Sequence, residues 1–231
     1  MAHVPTEPAE RAMVAASVAF APALLALGWL VLPRPDAGPL EELAEIDAAS
    51  GRWVGGWILI LLGALLIVPA ALALGGLVRE TSQIGSLAGR ILAPLGAIGL
   101  VATAALRGLH GAQLADDAGD PLLAPGAATA WDGLQSGILR PLVYSPEIMA
   151  AGLIVIGLAL VQRSPVARQA GWIVALGAAI VFVSLVVSQT LIAGIGAIVL
   201  LVGMLPFARA LAGTGAGRSR PAATLPSRAP E

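Results

Sequence analysis

Residues 91–112, ILAPLGAIGLVATAALRGLHGA, decide how this chain folds. The run matches the roughly 20 helical residues that cross a bilayer's apolar core. It carries a single formal charge, Arg107. Gly96, Gly99, Thr103, Arg107 and His110 recur at steps of three, four, four and three, so a helix places them in one stripe along one face. Leu92, Leu95, Ile98, Ala102, Ala105, Leu106 and Leu109 fall mostly elsewhere around it. Small residues admit a neighbouring helix and polar ones avoid lipid, so the stripe is expected to face the interior of a helical bundle.

Comparable apolar runs at 12–32, 54–78, 146–162, 170–188 and 190–208 bring the total to six. The run at 146–162 is short, about 25 Å by helical rise. The last two are joined so tightly around Ser188, Gln189 and Thr190 that they must form a helical hairpin. The expected fold is all-α: a polytopic integral membrane protein with a bundle of six transmembrane helices. Composition agrees, since 58% of the 231 residues are hydrophobic and 12% charged, about half the usual share of roughly 25%. This excludes a soluble globular enzyme and a disordered regulator. The absence of Cys excludes a disulfide or thiolate-metal design. A net charge of −1 speaks against a nucleic-acid partner, which would require a basic excess. Arg without Lys or Asn, alongside abundant Ala, Gly and Pro, points to a GC-rich coding sequence and a bacterial origin.

The charges also set an orientation. Before the first run lie Glu7, Glu10 and Arg11, not the positive flank of a signal peptide, and the run is too long for a signal's apolar region. It is expected to be retained as an anchor. With six spans, the segment 1–11, the loops 79–90 and 163–168 and the tail 209–231 share one side, and the membrane domain is 12–208. That side holds nine Arg (11, 79, 90, 163, 168, 209, 218, 220 and 228), and the other holds three (34, 52 and 140). The positive-inside rule then puts both termini in the cytoplasm of a cell-membrane protein. The tail from Arg209, rich in Arg, Pro, Ala and Ser, is expected to be disordered, with weak attraction to anionic lipid at most. Trp29, Trp53, Trp57 and Trp131 fall near the expected outer boundary and Trp172 near the inner one, as an interfacial aromatic belt would. Pro22 and Pro69 each remove a helical hydrogen bond, so kinks are expected in the first two spans.

Both outer loops carry helical patterns. In the first, Pro39 followed by Glu41 and Glu42 suits a helix start, with Leu40, Leu43 and Ile46 on one face. A short surface helix with a solvated acidic side is expected. The second, 113–145, opens with Asp116, Asp117 and Asp120. Thr129 and Asp132 then resemble a capping box, and Trp131, Leu134 and Ile138 fall at helical spacing up to Pro141. An interfacial helix packed on the outer mouth of the bundle is expected there. Ser145-Pro146-Glu147 reads as a Ser cap, a first-turn Pro and a carboxylate at the positive end of the next helix dipole.

Ionisable residues inside spans are costly and are candidates for function. Arg107 lies roughly 8 Å outward of its span's centre by helical rise. Glu147, Tyr144 or the 116–120 segment are its expected partners. Two readings follow. In one, Arg107 pins the long loop or the fourth span and His110 is an ordinary interfacial residue. In the other, Thr103, Arg107, His110, Tyr144 and Glu147 line an outward-open cavity in which Arg107 contacts an anion and His110 handles a proton.

Two His residues, His3 and His110, exclude a bis-His haem or multi-His zinc site within one chain. The chain has no G-x-S-x-G, H-E-x-x-H, Walker or dinucleotide-binding pattern, and no cofactor or metal is expected. Asp116, Asp117, Asp120 and His110 form the one conceivable carboxylate metal set, though solvated loop aspartates explain them as well. The leading expectation is a non-enzymatic structural or accessory protein whose outer loops engage the lipid bilayer or a membrane-protein partner. The runner-up is a small transporter of an amphipathic or anionic solute. The third is an intramembrane enzyme acting on lipid, with His110 as base.

Overall fold

The structure is a computed structural model that describes residues 7–33, 38–136, 144–187 and 189–213. Among the described residues there are eight helices and no strand: α1 (Pro8–Val31), α2 (Pro39–Ala48), α3 (Ser50–Val78), α4 (Gln83–Ala118), α5 (Ala124–Ser136), α6 (Ser145–Leu160), α7 (Pro165–Val186) and α8 (Thr190–Gly213). Five of them, α1, α3, α4, α7 and α8, are long and apolar enough to cross a membrane, and α6 is a shorter apolar helix of 16 residues. Local sequence sets several starts. The Ser82 hydroxyl accepts from the Gly85 amide at 3.1 Å to open α4, and Ser164 accepts from Ala167 at 3.3 Å to open α7. Pro stands in the first turn of α1, α2, α6 and α7, where its missing N–H costs nothing.

The six larger helices close into a ring in the order α1, α3, α4, α6, α7, α8 and back to α1, each packed on two neighbours. Gly194 near the start of α8 meets Leu30 near the end of α1, so these two run antiparallel and the chain's first and last helical residues share one end of the ring. The helices α2 and α5 cap the other end, packing on α4 and on each other. Between α1, α6, α7 and α8, the side chains of Leu25, Trp29, Met149, Leu153, Val181 and Leu200 meet inside the ring and leave no room for a water molecule.

Close backbone approach makes the seams. Along the antiparallel α4–α6 pair, Gly85 meets Ala159, Gly89 meets Ile156, Gly96 meets Met149 and Gly99 meets Ser145, while Gly152 of α6 meets Ala93. A Cβ at Gly96 would overlap the Met149 backbone nitrogen, and one at Gly152 would overlap the Ala93 nitrogen. Backbone cannot yield as a flexible side-chain tip can, so these positions accept no side chain without separating the helices.

Several expectations change. The 79–90 segment is not a loop: α4 begins at Gln83 because Ser82 caps it there, and packing on α6 offsets the low helix propensity of Gly85 and Gly89. The same helix continues through Asp116 and Asp117 to Ala118, about 54 Å by helical rise, and so projects past an apolar core of about 30 Å. Ala115 of α4 and Ala127 of α5 are both buried, and the two helices pack on each other. Trp29, Trp53, Trp57 and Trp131 are not set out at a headgroup boundary. All four are buried, because they fill the capped end of the bundle, whereas Trp172 is exposed. Thr129 does not cap α5, which starts at Ala124, and its hydroxyl instead donates to the Pro125 carbonyl one turn back. Ser145 is the first residue of α6 and not its cap. It is buried against Gly99. In α2, Leu43 and Ile46 are buried as expected, but Leu40 is exposed. Ile138, Pro141 and the tail beyond Gly213 lie outside the described residues.

The α4–α6 contact gives a direct expectation. Gly152→Ala lowers the stability of the folded protein by about 1–3 kcal/mol, the usual cost of overpacking. Gly55→Ala, in a helix position with nothing within 4 Å, does not destabilise. Thermal unfolding in one detergent compares them, and equal midpoints would contradict the close approach.

Candidate functional site

The capped end concentrates the polar chemistry of the bundle, and Arg107 is its centre. The helix α4 carries Arg107 in its C-terminal half, half-buried, on the flank facing α2, α3 and α5. Its backbone carbonyl accepts from the Trp53 indole N–H of α3 at 3.1 Å. Its guanidinium carbon lies 6.0 Å from the centroid of the Trp131 ring of α5, within reach of a cation–π attraction. The Trp131 N–H donates to a carboxylate oxygen of Glu42, on α2, at 2.9 Å. Glu42 and then Glu147 are the carboxylates whose charge acts on the guanidinium. Arg107 is therefore linked to α3 through its carbonyl, to α5 through the Trp131 ring, and to α2 and α6 through the charges of Glu42 and Glu147.

Aromatic contacts tie the arrangement together. Trp53 stands edge-on to Trp131, with centroids 5.9 Å apart, and edge-on to Trp57 at 5.7 Å. Trp131 is fully buried, the largest side chain of the described residues to be so. The α3 backbone comes in close because α4 offers glycine opposite these rings: a Cβ at Gly108 would lie 2.9 Å from Trp57 Cβ, and one at Gly111 would lie 2.8 Å from Trp53 Nε1. The result is a packed corner in which the indole N–H groups of Trp53 and Trp131 are satisfied by protein. Two buried atoms in this region have no hydrogen-bond partner, Trp57 Nε1 and Glu147 Oε2.

The stripe of small and polar residues on α4 divides in the structure. Gly96 and Gly99 lie against α6. Thr103 is buried and donates to the Gly99 carbonyl at 3.0 Å, the one-turn-back bond that satisfies a hydroxyl in an apolar setting. Arg107 turns to the cap, and His110 is exposed and outside the cluster. Tyr144 is exposed at the start of α6, and Glu147 is half-buried in its first turn. Of the expected partners, Glu147 acts on Arg107. The 116–120 segment does not, since Asp116 is nine residues, about 13 Å, further along the helix. Glu42 and Trp131 were missed as partners. Their helices were legible, but the sequence offers no pairing rule between a loop Glu and a Trp 89 positions later. The expected acidic face of α2 is therefore only partly solvated, since Glu42 turns inward. Among the described residues, no three His, Asp or Glu side chains gather as a metal site, which removes the set of Asp116, Asp117, Asp120 and His110.

A groove of about 500 Å3 opens at the same end, between the end of α1, α2 and the start of α3, lined by Leu30, Leu32, Pro33, Glu45 and Arg52 among others. Arg52 donates across it to the Val31 carbonyl at 3.3 Å. The groove does not reach Thr103 or Arg107.

No protein-family model, curated protein or solved structure matches the chain.

The corner predicts a graded response. Trp131→Ala removes a fully buried ring and costs about 3–5 kcal/mol. Trp131→Phe keeps most of the packing but loses the N–H to Glu42, and costs about 1–2 kcal/mol. In the Phe background, Glu42→Gln costs less than it does in the wild type. Unfolding of the purified variants measures this, and independent additive losses would show that Glu42 and Trp131 do not act together.

Proposed function

We infer that this chain is a six-span protein of the cell membrane, with both termini in the cytoplasm and a non-catalytic structural or accessory role. Its capped end faces outward, where α2 and α5 meet lipid or a membrane-protein partner. The five long apolar helices carry the membrane reading. The sixth span is α6, whose 16 residues reach about 24 Å by helical rise and can be completed by a thinned bilayer at modest cost. The distribution of Arg supports the orientation.

The single observation behind the non-catalytic reading is the surroundings of Arg107. The Trp131 ring centroid lies 6.0 Å from its guanidinium carbon, and the charges of Glu42 and Glu147 act on it. A guanidinium so placed links α4 to α2, α5 and α6 and holds the cap down. Thr103 is buried and does not line the groove at the capped end, which weighs against transport. One observation favours the transporter as a second reading: the buried, unpartnered Glu147 Oε2 could accept a donor from a bound solute.

Two measurements test this. Arg107→Ala lowers the yield of folded protein and exposes the cap to protease, and the fraction that folds shows no separate loss of a transport activity. A variant that folded normally and lost solute uptake would overturn the structural role. For the orientation, a reporter fused after Glu231 is active only if it stays in the cytoplasm. Activity restricted to the outer side would reverse the topology.

A further inference from the structure

The end of the ring opposite the cap carries arginines on or just after three neighbouring helices, α3, α4 and α6. The helix α3 ends at Arg79, α4 carries Arg90 two turns from its start, and the turn after α6 carries Arg163. The seams fix their levels. Arg90 lays its stem across Gly75, where a Cβ would overlap Arg90 Cγ, and the Gly75 carbonyl accepts from the Ser86 hydroxyl at 2.7 Å. At this antiparallel register Arg79 stands about one turn nearer the end of the ring than Arg90. Gly85 meets Ala159, so Arg163, four residues on, comes level with Ser82 at the start of α4. Side chains tilt toward the N-terminus of their own helix. This aims Arg90 toward the end of the ring and Arg79 back toward Arg90.

Three arginines face one acid on these segments. Glu80 is the one acid on the α3–α4 turn, and the first turn of α4 contains none, so the positive end of that helix adds to the guanidinium groups. An apolar track leaves the same end of the ring. Ile84, Leu87 and Ile91 of α4 are 83%, 63% and 54% exposed and run from this end into the apolar belt. A soluble anion would use only the charges. A phospholipid would use both the charges and the track.

We propose that Arg79, Arg90 and Arg163 hold the phosphate of an anionic phospholipid at the start of α4, with an acyl chain lying along Ile84, Leu87 and Ile91. The inference rests on the chain being membrane-embedded but not on which face of the membrane this end occupies. The glycine at 75 is then what seats the Arg90 stem between α3 and α4, so that a fixed guanidinium, not a freely rotating one, meets the headgroup. Basic pockets between membrane helices recognise anionic headgroups in this manner.

The test uses the full chain in nanodiscs of phosphatidylcholine titrated with phosphatidylglycerol, with bound lipid counted by native mass spectrometry. Wild type retains phosphatidylglycerol in preference to phosphatidylcholine. Arg79→Gln, Arg90→Gln and Arg163→Gln each weaken that retention roughly fivefold, the effect of one arginine near a membrane surface. Arg168→Gln, at the same end but on α7, changes it far less. Arg79 and Arg163 are exposed, so their variants fold even if Arg90→Gln does not. Equal retention by wild type and the Arg79 and Arg163 variants would overturn the proposal. So would an equal loss in Arg168→Gln, which would mark diffuse surface attraction. Displacement of the lipid by glycerol phosphate at matched concentration would mean a soluble phosphate ligand and would also overturn it. Failure of the chain to enter nanodiscs would instead sink the membrane reading itself.

Discussion

Helices in hydrocarbon gain nothing from hiding apolar side chains from one another, because lipid solvates those side chains as well as protein does. The ring of α1, α3, α4, α6, α7 and α8 therefore depends on how closely its backbones can approach. Glycine opposite backbone is the device that permits it, at Gly96 and Gly152 between α4 and α6 and at Gly177 and Gly203 between α7 and α8. Large side chains are left to do two other things. Those such as Ile98, Leu176 and Ile195 stand exposed around the outside, and those such as Leu25, Met149 and Leu200 meet inside the ring.

The capped end follows different physics. Here helices too short to span are held against the bundle, and burial of Leu43, Ile46 and Trp131 provides a hydrophobic contribution where water is the competing solvent. A single guanidinium sits at the border of the two regimes. Its desolvation is offset by the Trp131 face and by the charges of Glu42 and Glu147, and its carbonyl is engaged by Trp53. Seen this way, the long loop after α4 has a structural purpose. It brings Trp131 back to Arg107.

The helical architecture was readable from residue order because it rests on local properties: apolar run length, Pro at helix starts, Ser caps at 82 and 164. The stripe through Gly96 and Gly99 was readable too, since a helix has one period. What sequence could not supply was partner identity across distant segments. Glu42 looked like any exposed acid of an amphipathic helix, and only the fold brings it to Trp131. The Trp residues misled for a related reason: position near a span end fits either a headgroup belt or a packed cap, and only burial separates the two. His110 shared the stripe's spacing but is exposed, while its neighbour Gly111 is the residue that packs on Trp53, so periodicity overstated its role.

Thr103 and Arg107 in the C-terminal half of α4 are held against protein and serve structure. The chain's lack of cysteine makes a direct test available. Thr103→Cys, close to isosteric at a site 6% exposed, and Asp120→Cys, at an exposed site, can each be treated in native membranes with a membrane-impermeant thiol reagent applied from either side. The sealed structure predicts that Cys at 120 reacts from one side and Cys at 103 from neither. Rapid labelling at 103 would reveal a water-filled path to the stripe and contradict the account.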